Sequence, residues 1–264
     1  MTDSVHFALV GDVHGHMHRM VAELQLWEQW NSVRLDFVLQ VGDFEPVRHD
    51  ADLASVHVPQ KYRKLGDFVD FAEGRATFPW PVWFIGGNHE PYGYLDEQPG
   101  GFALLDHCHY LGRAGHATIG GLRLAWLSAI HHPEYFDAPR PDVTAPRRMV
   151  SPKRFTYFNA GDIARLKSVT APDLMLFHEW PEGLSESSLF KRRRGTNPKA
   201  GQPGVGNAVA AELIRRCRPP WVFCGHMHEA YCGEIRTGSA TSQVVCLAAV
   251  GSSGSFAIMR KGDE

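Results

Sequence analysis

Asp12, His14, Asp43, Asn88, His89, His178, His226 and His228 share one context in this sequence: each follows directly on an apolar run. Asp12 and His14 follow 5–10, Asp43 follows 36–41, Asn88 and His89 follow 82–85, His178 follows 174–177, and His226 and His228 follow 221–224. Carboxylate and amide oxygens suit manganese or magnesium, and imidazole suits zinc, iron, nickel and manganese. One Asp-x-His would be an ordinary solvated loop. Five strand-to-loop junctions carrying ligand types are read here as a metal-binding constellation. At the third junction, Gly86 and Gly87 allow the tight turn that presents Asn88 and His89 at a strand's carboxyl end, where open α/β sheets place ligands.

These residues need strands to hold them, and the pattern supplies strands. Apolar runs at 5–10, 36–41 and 82–85 alternate with helical periodicity at 16–30, where Met20, Leu24 and Trp27 share a face, and at 60–73. This is the βαβ rhythm of a parallel sheet. A short helix is expected at 92–97, then a glycine-punctuated strand meander over 109–111, 117–119 and 122–127. The segment 133–152 is rich in Pro, Arg and Asp and reads as a long loop. A helix at 159–169 capped by Asn159 or Asp162, a strand at 174–177, a helix at 207–216 and strands at 221–224, 243–248 and 255–259 complete the expectation. With no repeat or linker in view, one α/β domain is expected over 1–264.

Composition bounds the function. The chain has 264 residues, 44% of them hydrophobic, and a net charge of −2, so no global positive field draws it onto nucleic acid or membranes. Its first residues run straight into a strand without a leader pattern, and no stretch is long enough to span a bilayer. Cys108, Cys217, Cys224, Cys232 and Cys246 are scattered, odd in number and never in Cys-x-x-Cys spacing. Reduced thiols and a cytoplasmic location are therefore expected, and a thiolate zinc site is not.

The ordered set Asp-x-His, Gly-Asp, Gly-Asn-His-Glu, His and Gly-His-x-His resembles the calcineurin-like metallophosphoesterase superfamily over residues 5–230. That resemblance implies a double β-sandwich flanked by helices and a site for two divalent ions. Manganese is expected, with iron, zinc, nickel or magnesium as alternatives. Carried over position by position, it implies Asp12, His14 and His228 on one ion, Asn88, His178 and His226 on the other, and Asp43 bridging. His89 stays off the metals and acts as general acid at the leaving oxygen. Two ions about 3.5–4 Å apart lower the pKa of bound water, so that hydroxide attacks phosphorus near neutral pH.

Several stretches narrow the resemblance. The second motif, 42–48, lacks the Asp-Arg-Gly of the serine/threonine phosphoprotein phosphatases. Instead 42–48, 52–53, 58–63, 84–90, 110–112, 178–181 and 221–228 are similar to the catalytic domain of the RNA lariat debranching enzymes. Two departures stand out: Asp12 replaces the Cys common in the eukaryotic enzymes, and the chain ends at Glu264 without their longer C-terminal region.

The resulting expectation is a phosphodiesterase acting on RNA or a nucleotide. A phosphomonoesterase for a small molecule or phosphoprotein, and a non-catalytic binding scaffold, are the alternatives. No obligate protein partner is implied. Tyr92, Arg193 and Arg194 are candidate substrate contacts. Tyr92, Tyr94 and Phe102 either pack or stack a base. Lys191–Arg194, and Arg147, Arg148, Lys153 and Arg154, are either solvated or contact phosphates. His131 and His132 are outer-shell or loop residues rather than ligands, and Glu90 and Glu179 are expected to orient neighbouring histidines.

Overall fold

The computed structural model describes residues 4–59, 61, 63–144, 150–186 and 206–262. Its strands in chain order are β1 Val5–Val10, β2 Phe37–Gln40, β3 Val82–Phe84, β4 Phe102–Leu105, β5 Cys108–Tyr110, β6 Ala114–Ile119, β7 Leu122–Leu127, β8 Leu174–Phe177, β9 Ser185–Glu186, β10 Trp221–Cys224, β11 Tyr231–Thr237, β12 Ala240–Cys246 and β13 Phe256–Lys261. The helices are α1 Met17–Asn31, α2 Asp50–Leu53, α3 Phe68–Ala72, α4 Tyr92–Leu95, α5 Pro133–Phe136, α6 Ala160–Arg165 and α7 Ala208–Cys217, with a 3-10 turn at Pro152–Thr156.

Two mixed sheets result. The first has the order β13-β1-β2-β3-β5-β4 and the second β6-β7-β8-β10-β12-β11-β9. The pairs from β1 to β2, β3 and β5 are parallel, as are those from β7 to β8, β10 and β12. The strands at the edges, β13, β4, β6 and β9, all pair antiparallel.

Strand periodicity explains the layering. In β1, Phe7 and Leu9 join an apolar cluster with Phe37, Leu39, Leu124, Leu174, Leu176 and Phe223, which come from both sheets. Ala8 and Val10, on the opposite face, pack in the cluster that holds Met17, Met20 and Leu24 of α1. Each sheet thus buries both faces, one against the other sheet and one under helices, and its strands read as continuous apolar runs. This is the calcineurin-like double sandwich that the resemblance implies.

The helix starts are held by side chains distant or near. Asp67 caps α1 from outside, accepting from the backbone N–H of Met17 at 2.6 Å and His18 at 3.1 Å. At α6, Asn159 and Asp162 form a reciprocal capping box, and Asn207 caps α7.

Several expectations change. The helix expected at 60–73 is confined to Phe68–Ala72. The expected meander is split: β5 pairs with β3 in the first sheet, whereas β6 and β7 open the second. Strand β11 forms where the apolar pattern marks no strand, and the 133–152 loop contains α5. Arg147, Arg148 and Lys191–Arg194 lie outside the described residues.

Candidate metal centre

The carboxyl ends of β1, β2, β3, β8 and β10 converge. Two groups of donor atoms arise there, each within 4.8 Å: Asp12, His14, Asp43 and His228, and Asp43, His178 and His226. Asp43 belongs to both. In the first group His228 Nε2 is 3.0 Å from Asp12 Oδ2 and 2.8 Å from His14 Nε2. His14 Nε2 is 3.8 Å from Asp12 Oδ2 and 3.9 Å from Asp43 Oδ2. In the second, His178 Nε2 is 3.4 Å from Asp43 Oδ2 and 3.1 Å from Asn88 Oδ1. The His226 ring lies 5.0 Å from that of His178.

Tautomers follow from the outer contacts. His178 Nδ1 faces the Val41 carbonyl at 3.0 Å and donates to it, which leaves Nε2 to face Asp43, where it can carry either a proton or a cation. His14 Nδ1 donates to Glu45 Oε1 at 2.7 Å, with the same consequence. A carbonyl or carboxylate behind the imidazole turns the other nitrogen inward, where a cation can take the place of its proton. The donor chemistry therefore fits divalent ions.

Backbone conformation aims these groups. His14 (φ 48°), Asp43 (φ 54°), Glu45 (φ 58°), His226 (φ 69°) and His228 (φ 56°) all adopt the left-handed conformation, which is costly for residues with a Cβ. Close approach fixes two glycines. A Cβ on Gly87 would sit 2.1 Å from Asp43 Oδ1, and one on Gly225 would sit 2.1 Å from Asp12 Oδ1. Asp12 is pinned from the same turn, accepting from the His226 N–H at 2.9 and 3.1 Å.

The buried carboxylates attract positive charge. Burial alone would lower the His14 and His178 pKa values. For His14, the Glu45 hydrogen bond and the charges of Asp43, Glu45 and Asp12 outweigh burial and raise it to about 9. For His178, Asp43 does most of this, and the pKa rises to about 10. Burial and the His178 charge hold His226 down at about 4. Protons and divalent cations compete for the same lone pairs at such a cluster.

His89 is placed differently. Its N–H donates to Asp43 Oδ1 at 2.8 Å, and its ring meets that of His14 edge-on at 5.4 Å. It belongs to neither donor group, and its buried Nδ1 has no hydrogen-bond partner among the described residues.

Three sequence expectations are corrected. Tyr92 offers no face to a substrate: it is 1% exposed, its hydroxyl donates to the Gly87 carbonyl at 2.6 Å, and the Arg113 guanidinium covers its ring at 3.4 Å. Glu90 orients no histidine. It accepts from the backbone N–H of Phe44, Glu45 and Gly87, and so ties two motif turns together. Glu179 accepts from the His131 N–H and Asn207 Nδ2 instead of an imidazole. The histidine-orienting carboxylate is Glu45, a role that its residue type and spacing do not announce. Gln40 is equally silent in the sequence: its side-chain amide bonds the Gly11 and Gly42 carbonyls and the Gly42 N–H, joining the first two turns. His131 and His132 pack against Phe136, Phe158, Tyr135 and Tyr157, outside both donor groups.

Comparison with known proteins matches residues 5–230 to the calcineurin-like phosphoesterase family. The chain belongs to that family. Its members are metal-using phosphoric ester hydrolases, and the Asp/His cluster lies within the matched span. The chain is similar to lariat debranching enzymes. It is 28% identical to that of Arabidopsis thaliana over 91% of this chain and 59% of the relative. It is 30% identical to that of Entamoeba histolytica over 87% and 65%, and 32% identical to that of Caenorhabditis briggsae over 84% and 46%. It thus spans about half to two-thirds of the length of these relatives. The solved structure of TT1561 from Thermus thermophilus superposes over 94% of this chain and 91% of its own, with a TM-score of 0.53 at 14% identity. That likeness concerns the fold alone. Among the described residues no helix is long and apolar enough to cross a membrane, and none of the five cysteines is in a disulfide.

Proposed function

We propose that this calcineurin-like phosphoesterase is a binuclear phosphodiesterase that cleaves RNA or a nucleotide. The observation that carries the reading is Asp43, whose carboxylate is shared by two donor groups beside His89. In this reading Asp12, His14 and His228 hold one cation, Asn88, His178 and His226 hold the second, and Asp43 bridges them. Manganese suits this mixture of oxygen and imidazole donors. Bound there, two divalent ions supply an activated water and neutralise charge on the phosphoryl group.

The chain's own residues do the rest. Glu45 and the Val41 carbonyl fix the His14 and His178 tautomers, so the ligands need not reorganise. His89, outside both groups, donates a proton to the leaving oxygen, a contribution of about 10²–10⁴-fold. The diester preference draws on the similarity to lariat debranching enzymes, which extends well beyond the ligands. Five cysteines without a disulfide fit a reducing compartment, and in this reading residues 1–264 make up one catalytic domain.

A substrate panel tests this. Chelator-treated protein should be inactive, and manganese should restore hydrolysis of 2′-5′ or 3′-5′ dinucleotides in preference to phosphomonoesters. Turnover without metal would defeat the binuclear reading. A monoester preference would move the chain to the phosphomonoesterase class.

A further inference from the structure

Residues of α2, α4 and the 3-10 turn line a cavity of about 300 Å³. Its floor is the guanidinium of Arg48, lying flat 3.3 Å above the Tyr94 ring. Arg48 Nε and Nη2 donate to Asp52 Oδ2 at 2.7 Å and Oδ1 at 2.8 Å. Asp52 is nearly buried, whereas the Arg48 side chain keeps 32% exposure. The guanidinium is therefore locked in plane with one face on Tyr94 and surface left open. Phe155 lines another wall, and Glu97 and His49 line the cavity with polar edges. Glu97 is exposed, and its carboxylate is engaged by no side chain among the described residues, while His49 is turned so that its Nδ1 accepts from the Asp52 N–H.

The charge balance decides what fits. Among the described lining residues Asp52 neutralises Arg48 and Glu97 adds a negative charge, which disfavours a phosphate. A flat neutral ring is favoured: guanidinium planes and aromatic faces stack bases, and an unpaired carboxylate accepts from ring N–H and amino donors. The cavity is tied to the metal centre through the chain. Arg48 is three residues from Glu45, the partner of His14, so these positions lie within about 11 Å of each other along the chain. Tyr94 shares α4 with Tyr92, which bonds Gly87.

We propose that this cavity is a nucleobase subsite in which a base stacks on Arg48 and Glu97 selects the paired ring N–H and amino donors of guanine. The arrival of a nucleotide there rests on the phosphodiesterase reading; binding of the base is tested apart from it.

The test is calorimetric titration of the full-length, manganese-loaded chain with guanosine and with inosine, which lacks only the amino group. Guanosine should bind about tenfold tighter, as expected for one well-placed donor. Glu97→Gln should abolish that preference, and Arg48→Lys, which keeps a charge opposite Asp52, should weaken both nucleosides. Dinucleotides bearing guanine or hypoxanthine should then differ in KM rather than kcat. Equal affinity for the two nucleosides, or a preference that survives Glu97→Gln, would overturn the subsite. A Glu97-dependent preference in a chain that cleaves no diester would support the subsite and overturn the phosphodiesterase reading instead.

Discussion

The backbone N–H of His89 donates to Asp43 Oδ1 at 2.8 Å. One oxygen of the carboxylate is thus fixed by the third motif, while Oδ2 faces His14 and His178 from the two donor groups. Asp43→Ala should accordingly cost more metal than loss of any other ligand. Metal content per chain after dialysis should fall for both ions, with activity down by more than about 10²-fold. Asp12→Ala should deplete chiefly one. Two retained ions in Asp43→Ala would show that the carboxylate does not bridge.

His89 sits on the same turn but outside both donor groups, so His89→Ala should separate binding from chemistry. Metal content should stay near that of the parent while kcat drops, because the lost interaction is made mainly in the transition state. For a ribose leaving group the drop should be about 10²–10⁴-fold. A nitrophenolate leaves without needing a proton and should show less. Equal losses on both substrates would leave His89 only an electrostatic role.

Glu45 provides a third test, because it touches His14 at Nδ1 and has no place in either donor group. Glu45→Gln keeps an acceptor but removes the charge. It should weaken affinity for the ion at His14 by about 10–100-fold, measured by competition with a metal indicator. Affinity at the His178 side should change little. A uniform loss at both positions would point to a shift of the whole turn.

Much of this site is legible in the sequence because it is local. Val5–Val10 reads as a strand from its apolar run, and the motif that follows places Asp12 and His14 at its end. The same logic locates Asp43, Asn88, His178 and His226. What the sequence hides is non-local or conformational. Glu45 reaches His14 through a left-handed backbone that no residue type announces. Glu90 looks like a histidine partner next to His89, yet its carboxylate is taken by three backbone N–H groups of two separate turns. The β5/β6 boundary is invisible because only a short glycine-containing link separates the two strands, and only pairing assigns them to different sheets. Tyr92 reads as an aromatic near the centre, and its burial depends on Arg113, far along the chain.

That last contact carries a stability prediction. Arg113 is fully buried, donates through Nε to Asp96 Oδ1 at 2.7 Å and through Nη2 to the Phe155 carbonyl at 2.7 Å, and covers Tyr92. Arg113→Met should leave the buried Asp96 carboxylate short of its main partner, which costs about 3–5 kcal/mol. For a chain of this size that corresponds to a fall in Tm of roughly 10 °C. Adding Asp96→Asn should recover part of the loss, because the stranded charge is gone. The double variant remains informative about the site, since Tyr92 would still have lost its cover while its hydroxyl bonds Gly87, whose Cα packs against Asp43. If the double variant regains stability but binds metal more weakly than the parent, the buried pair supports the geometry of the centre as well as the fold. Parental metal affinity in the double variant would confine Arg113 to stability.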